Sequence, residues 1–346
     1  FTAAVLIGKS APSAQLALFS LGSGIGGVAA GVLWTAQGSY FSRTVDLLAA
    51  AEGAPREALT SSLSGTFASW FLGLEVGAKA SWAAMDALGV HPSLTAASFT
   101  VLGVLATLGM TRLMPVSAPQ TSEGCAAKVK AAVSLWRDPA VFLLSGINLT
   151  FGFSAAFLNG YINANVTAVR IGAFAVPMFA ASTVLFAAVF ARIFGELAKS
   201  TGKGLVLLLG AGCFFCIPVL FPVVSSPGTW RWGVAALYAL QGVGRAVYES
   251  TSKALFADFF PDRAAAAFAN CTLQTSSAFA ACFLLSSVLA GPMLGGISLL
   301  LSALTPCGYV LATHLPRRSA KAGATQAARA CELEERGLKA KKQKPA

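Results

Sequence analysis

The sequence predicts an all-α integral membrane protein, a bundle of about nine complete membrane-crossing helices, and three observations predict it. Charged residues make up 11% of the 346 positions and hydrophobic residues 55%, whereas about a quarter of a soluble protein is charged. The mean hydropathy is +0.69. The apolar residues are also gathered into runs of about 20, the length at which a helix crosses hydrocarbon, and glycine and phenylalanine recur inside those runs.

Taken in order, the runs are bounded by polar interruptions. The first, 14–41, is closed by Arg43. The second, 63–84, opens after Arg56 and closes at Asp86, and the third, 94–114, follows His91 and Pro92 and ends beside Arg112 and Pro115. The fourth, 139–161, begins at Asp138-Pro139; the fifth, 171–192, lies between Arg170 and Arg192; the sixth, 204–223, starts after Gly202-Lys203. The seventh, 232–257, follows Arg231, the eighth, 266–290, follows Asp262-Arg263, and the ninth, 293–315, ends before Arg317.

Lys and Arg give the map a sidedness. Arg43, Arg56, Arg112, Lys128, Lys130, Arg137, Arg192, Lys199, Lys203, Arg263 and every base after Leu315 fall on one side, while Lys9, Arg170 and Arg231 fall opposite. The positive-inside rule makes the first side cytoplasmic, and with it the C-terminus. The net charge of +11 therefore reports orientation. Clustered basic and aromatic residues of a nucleic-acid face are absent, and no nucleic-acid partner is expected. Asn165-Val166-Thr167 is an N-glycosylation acceptor sequence in a loop on the opposite side, whereas Asn148 and Asn270, in similar triplets, fall inside spans.

Domain organisation follows from the longest connection. Residues 115–138, with Pro119, Ser122 and Gly124, read as a cytoplasmic linker between two helix bundles. Residues 1–114 are then the remainder of an N-terminal bundle, 139–315 a six-helix C-terminal bundle, and 316–346 a basic cytoplasmic tail drawn to anionic lipid. Phe1 to Gly8 reads as the apolar end of a further span, and three spans are expected ahead of those present, for twelve in all. A slide of 215 positions aligns Gly27, Val28, Val32 and Phe41 with Gly242, Val243, Val247 and Phe256, the parallel repeat expected of the halves of a facilitator-type transporter.

Ionisable side chains at membrane depth cost about 2.5–3.5 kcal/mol each, so the few present are the most informative residues. Glu75 and Lys79 are four apart in the second run; Arg245, Glu249 and Lys253 form a stripe of alternating sign in the seventh, extended by Gln241. Two readings stand. The charges line a cavity for an ion or polar solute, with Glu75 a better ligand or proton carrier than Lys79, or each set is a self-neutralised lock with Lys253 snorkelling to the surface.

Other motifs read as structure. Gly195 and Gly202 bracket a cytoplasmic turn ending in Lys203. The pairs Gly22 with Gly26, Gly27 with Gly31 and Gly73 with Gly77 are spaced for close helix approach. Cys213 and Cys216 sit in an apolar run and read as small packing residues, and no disulfide is expected. His91 and His314 lie at run ends and form neither metal cluster nor triad, so the sequence predicts no metal, no cofactor and no enzyme.

Two stretches resemble a known family. Gly31-Val32-Leu33-Trp34-Thr35-Ala36-Gln37-Gly38-Ser39-Tyr40 looks like a signature of the Unc-ninety-three-like family, a branch of the major facilitator superfamily, carried by Trp34, Gln37, Gly38 and Tyr40. Gly244 to Lys253, continuing through Asp258-Phe259-Phe260-Pro261 to Ala267-Phe268-Ala269-Asn270, resembles that family's late-helix motif, and Phe151-Gly152-Phe153-Ser154 is a third match. The Gly195 to Lys203 stretch is similar to the superfamily's cytoplasmic gating loop, with Lys199 and Ser200 in place of its Asp and Arg. The resemblance implies a major facilitator-type bundle of twelve helices. It also implies one of two functions: a secondary transporter or ion-pathway protein carrying a small solute or ion, or a non-transporting regulatory or trafficking partner of a potassium channel or another membrane protein.

Overall fold

A computed structural model describes residues 11–113 and 125–315. The start, Phe1 to Lys9, the linker positions 114–124 and the tail 316–346 lie outside the described residues. Within them the chain is helical throughout. The elements are α1 (Pro12–Glu52), α2 (Arg56–Ala87), α3 (Pro92–Met110), α4 (Cys125–Ser134), α5 (Pro139–Ala156), α6 (Ala175–Thr201), α7 (Lys203–Ser225), α8 (Ala235–Val247), α9 (Lys253–Phe259), α10 (Ala264–Leu285) and α11 (Gly291–His314).

Seven of these stretches are long and apolar enough to cross a membrane. The two other predicted runs, 63–84 and 232–257, also form long helical stretches; both carry the membrane-depth charges, and the first also carries Ser64, Thr66, Ser69 and Ser81. The α5 helix continues through a π-helical segment, Phe157–Thr167, to Arg170, and a second π-helical segment, Tyr248–Ser252, joins α8 to α9. A π turn widens the helix and leaves its residues out of α register, an arrangement found disproportionately at functional positions.

The core lies in the C-terminal helices. Leu144, Ile147, Phe157, Ile162, Leu237, Tyr238 and Leu294 are almost completely buried there, and Ala68 and Leu72 of α2 join the same cluster. Because lipid is as apolar as leucine, burial alone does not bring such helices together; close packing and polar side chains do. The polar pairs are present. Thr150 and Thr305 hydroxyls lie 2.9 Å apart between α5 and α11, Asn148 donates to Gln274 at 2.7 Å between α5 and α10, and Ser154 donates to Gln241 at 3.0 Å between α5 and α8. Gln241 thus faces the inside of the C-terminal bundle and does not extend the charged stripe. Large apolar residues such as Leu105, Leu300 and Leu311 point outward, as a lipid solvent allows.

The close helix approaches are not where the glycine pairs predicted them. No atom lies within 4 Å of a Cβ placed on Gly26, Gly27, Gly31, Gly73 or Gly77. Instead Gly65 of α2 and Gly195 of α6 meet backbone to backbone, a Cβ on Gly195 falling 2.8 Å from the Gly65 Cα, and Gly38 of α1 faces the Phe268 ring of α10, 2.1 Å from where its Cβ would be. Spacing within one helix identifies a smooth face, but the partner's position decides whether that face is used.

The predicted linker also gains structure. Its end is α4 and a short 3-10 turn, Leu135–Arg137, that leads into the Asp138 cap of α5, where the carboxylate accepts from the Ala140 amide at 3.2 Å. Ala132 packs on the core and Leu135 is fully buried, which explains why a segment read as connection is ordered.

Candidate functional site

The five membrane-depth charges form one chain that joins the two helix groups. Arg245 of α8 donates through both terminal nitrogens to the Glu75 carboxylate of α2, at 3.2 and 2.6 Å. Lys79 stands 3.7 Å from the same carboxylate, one turn along α2. On the other side of Arg245, its Nε lies 3.9 Å from Glu249, whose second oxygen meets Lys253 at 2.7 Å. Lys253 ends the chain over the Trp34 ring of α1, 4.5 Å from its centroid. Glu249 lies in the π-helical segment Tyr248–Ser252, between the two bases four residues to either side of it.

The two charge sets are therefore not separate but joined through Arg245. A bidentate guanidinium–carboxylate pair is the strongest of the ordinary charged contacts, and it crosses between helices distant in sequence. Three bases face two carboxylates in the chain, and Arg245 Nε makes no hydrogen bond among the described residues. Lys253, expected to snorkel, has its ammonium held by Glu249 and the Trp34 ring, which stand in for water around it.

The family-motif residues converge here in part. Trp34 also packs edge-on against Phe71 at 5.1 Å. Gln37 lines a narrow cleft with Ser64, Glu249 and Lys253, closed by Phe41, Phe67 and Phe268. Gly38 lets α1 approach Phe268, so the early motif rests on the late one. Tyr40 is 40% exposed and takes no part.

A second cluster lies at the end of the helices where α1 turns into α2. Asp258, at the end of α9, accepts from Arg56 at 3.1 Å and Thr60 at 3.0 Å, and pairs with Lys203. Arg56 also reaches Asp46 at 2.8 Å, Ser42 at 3.0 Å and the Ala257 carbonyl at 3.1 Å, while Lys203 donates to the Glu57 carbonyl at 3.0 Å and Thr60 at 3.1 Å. Ser62 of α2 donates to Glu196 of α6 at 2.7 Å. A single carboxylate, 6% exposed, thus bridges bases from α2 and α7.

Within the predicted gating-loop stretch, Lys203 and Glu196 make polar side-chain contacts to other helices. Gly195 is not in a loop; it lies inside α6 and is the contact with Gly65. The turn is made at Gly202 alone, where φ is 88° and one residue reverses the chain between α6 and α7. Asp258 and Arg56 were not among the predicted site residues. Asp258 was legible as part of the Asp258-Phe259-Phe260-Pro261 motif, but nothing near Arg56 in sequence points to a partner 202 residues away.

Asn165 is corrected as well. It lies on the π-helical continuation of α5 and not in a loop, with its amide nitrogen donating to the Tyr161 carbonyl at 3.0 Å. The stretch reads as a loop because it separates the apolar runs 139–161 and 171–192, but Asn163 and Asn165 bond back to carbonyls of their own helix. Among the described residues no group of His, Cys, Asp and Glu could hold a metal ion.

Fold and site together define an all-α, multi-pass integral membrane protein whose helices are joined by charges inside the bundle. Within that class the chain is similar in sequence to unc-93 homolog A proteins. It is 31% identical to protein unc-93 homolog A of Mus musculus over 160 residues, 45% of this chain and 34% of that protein. It is 30% identical to protein unc-93 homolog A of Danio rerio over 192 residues, 52% of this chain and 39% of that one. The chain spans well under two thirds of the length of these curated relatives. No protein-family model matches it.

Proposed function

We propose that this chain is part of a major facilitator-type secondary transporter or ion-pathway protein, in which a small solute or ion passes between the two helix groups. The supporting observation is the Lys79–Glu75–Arg245–Glu249–Lys253 chain, because a charge at membrane depth is costly and one placed across a bundle interface changes partners when the bundles rock. Asp258, Arg56 and Lys203 close the end that the Lys/Arg distribution reads as cytoplasmic. Rocking would break both clusters and leave Glu75 and Glu249 open to a solute. No step of this mechanism requires enzymatic chemistry or a cofactor.

The test is flux in proteoliposomes of the full-length protein with Glu75→Gln and Glu249→Gln. Loss of solute or potassium flux in both variants is expected, and unchanged flux in both would overturn the mechanism.

A second reading has its own observation. Both carboxylates are already neutralised by bases within the chain, which suits a static scaffold that regulates or traffics a potassium channel or other membrane protein. Co-purification with a channel in the absence of flux by the protein alone would favour it.

A further inference from the structure

The linker helix α4 has two faces. One is docked: Ala132 packs on the core, its carbonyl accepts from Asn270 of α10 at 3.0 Å, and the Asn270 side-chain oxygen accepts from the Trp136 indole at 2.6 Å. The other carries Val129 and Val133, 58% and 48% exposed, and past the end of the helix, in the 3-10 turn, the Trp136 ring is 48% exposed while its indole N–H stays on the docked side. Val129 and Val133, spaced i and i+4, share one face of the helix, and the exposed part of the Trp136 ring continues it past the helix end. Lys128, Lys130 and Arg137 accompany the stripe, and the sequence from Lys128 to Arg137 contains no acid. The nearest acid among the described residues, Asp138, is engaged by Arg263 at 2.6 Å.

The depth of this helix follows from what it touches. Asn270 lies six residues into α10 from Ala264, about 9 Å along the axis at 1.5 Å per residue. A helix bonded there lies where an amphipathic interfacial helix sits, about 5–10 Å into the boundary between headgroups and acyl chains.

We propose that α4 is an interfacial anchor, its Val129–Val133–Trp136 stripe inserted beneath the headgroups of an anionic leaflet and Lys128, Lys130 and Arg137 at the phosphate level. The occupant of the exposed face is lipid and neither water nor protein. An apolar stripe at this depth meets acyl chains, and three uncompensated bases beside it match an anionic surface. Asn270 ties the anchor to α10, so the linker between the helix groups rides on the membrane. The proposal is independent of whether the protein transports.

Photocrosslinking tests it. A benzoylphenylalanine at position 133 of the full chain is activated in phosphatidylcholine vesicles with or without phosphatidylserine, and adducts are identified by mass spectrometry. Position 300 on the outward face of α11, where Leu300 is 59% exposed, sets the yield of a lipid-facing site. Lipid adducts at 133 comparable to those at 300 are expected. Phosphatidylserine should be enriched about fivefold over its share of the vesicle, the scale of one base engaged at an anionic surface. In the Lys128→Gln, Lys130→Gln variant the adducts should remain and the enrichment fall. Adducts to protein, including a second copy of this chain, or a lipid yield below about a tenth of that at 300, would overturn the proposal, as would equal enrichment in the variant.

Discussion

Arg245 and Glu75, 170 residues apart, meet through two hydrogen bonds of 3.2 and 2.6 Å between α8 and α2. The pair is only partly buried, at 19% and 26% side-chain exposure, and both side chains belong to runs of membrane-crossing length. Removing one partner leaves a charge with little water to solvate it.

Arg245→Met and Glu75→Gln are each expected to cost about 2 kcal/mol, below the range for fully buried pairs because both side chains keep some access. The double variant should cost less than the sum. Reversible unfolding in mixed detergent micelles measures this, and additive losses would show that the two charges do not stabilise one another.

Asp258→Asn leaves Arg56 and Lys203 facing each other across Thr60 without their common acid. The expected result is a loosened end of the bundle. Ser61, 1% exposed in α2, is the reporter: as Ser61→Cys it should react with a water-soluble maleimide about tenfold faster when Asp258 is Asn, the effect of about 1.4 kcal/mol on local opening. An unchanged rate at that peptide would remove Asp258 as the lock.

Glycine substitutions separate used faces from unused ones. Gly195→Ala forces apart α2 and α6 and should destabilise by about 1–3 kcal/mol, since its Cβ would sit 2.8 Å from the Gly65 Cα. Gly73→Ala meets nothing within 4 Å and should be neutral or stabilise by up to about 1 kcal/mol, through helix propensity alone. Thermal unfolding of the purified variants distinguishes them, and a reversed order would refute the packing.

Asn165 is expected to carry no glycan when the protein is expressed in mammalian cells, because its amide is bonded within a helix. Asn165→Gln and glycosidase treatment should both leave electrophoretic mobility unchanged. A shift in either would mean that this helical end unwinds.

The class of the protein, the approximate extent of its spans and the identity of its membrane-depth charges follow from the sequence alone, because each rests on local quantities: apolar run length, composition and i, i+4 spacing. Glu75 with Lys79 and Glu249 with Lys253 are such pairs, and both are present. The tertiary structure decided what these pairs do. It set Arg245 between Glu75 and Glu249, put Lys253 over the Trp34 ring, made Asp258 the partner of Arg56 and Lys203, and chose Gly65, Gly195 and Gly38 over the regularly spaced glycines for close contact. The reason is physical. In lipid, apolarity selects no partner for a helix, so the pairing of faces depends on how small residues and polar groups fit together in space, and residues far apart in sequence supply that fit.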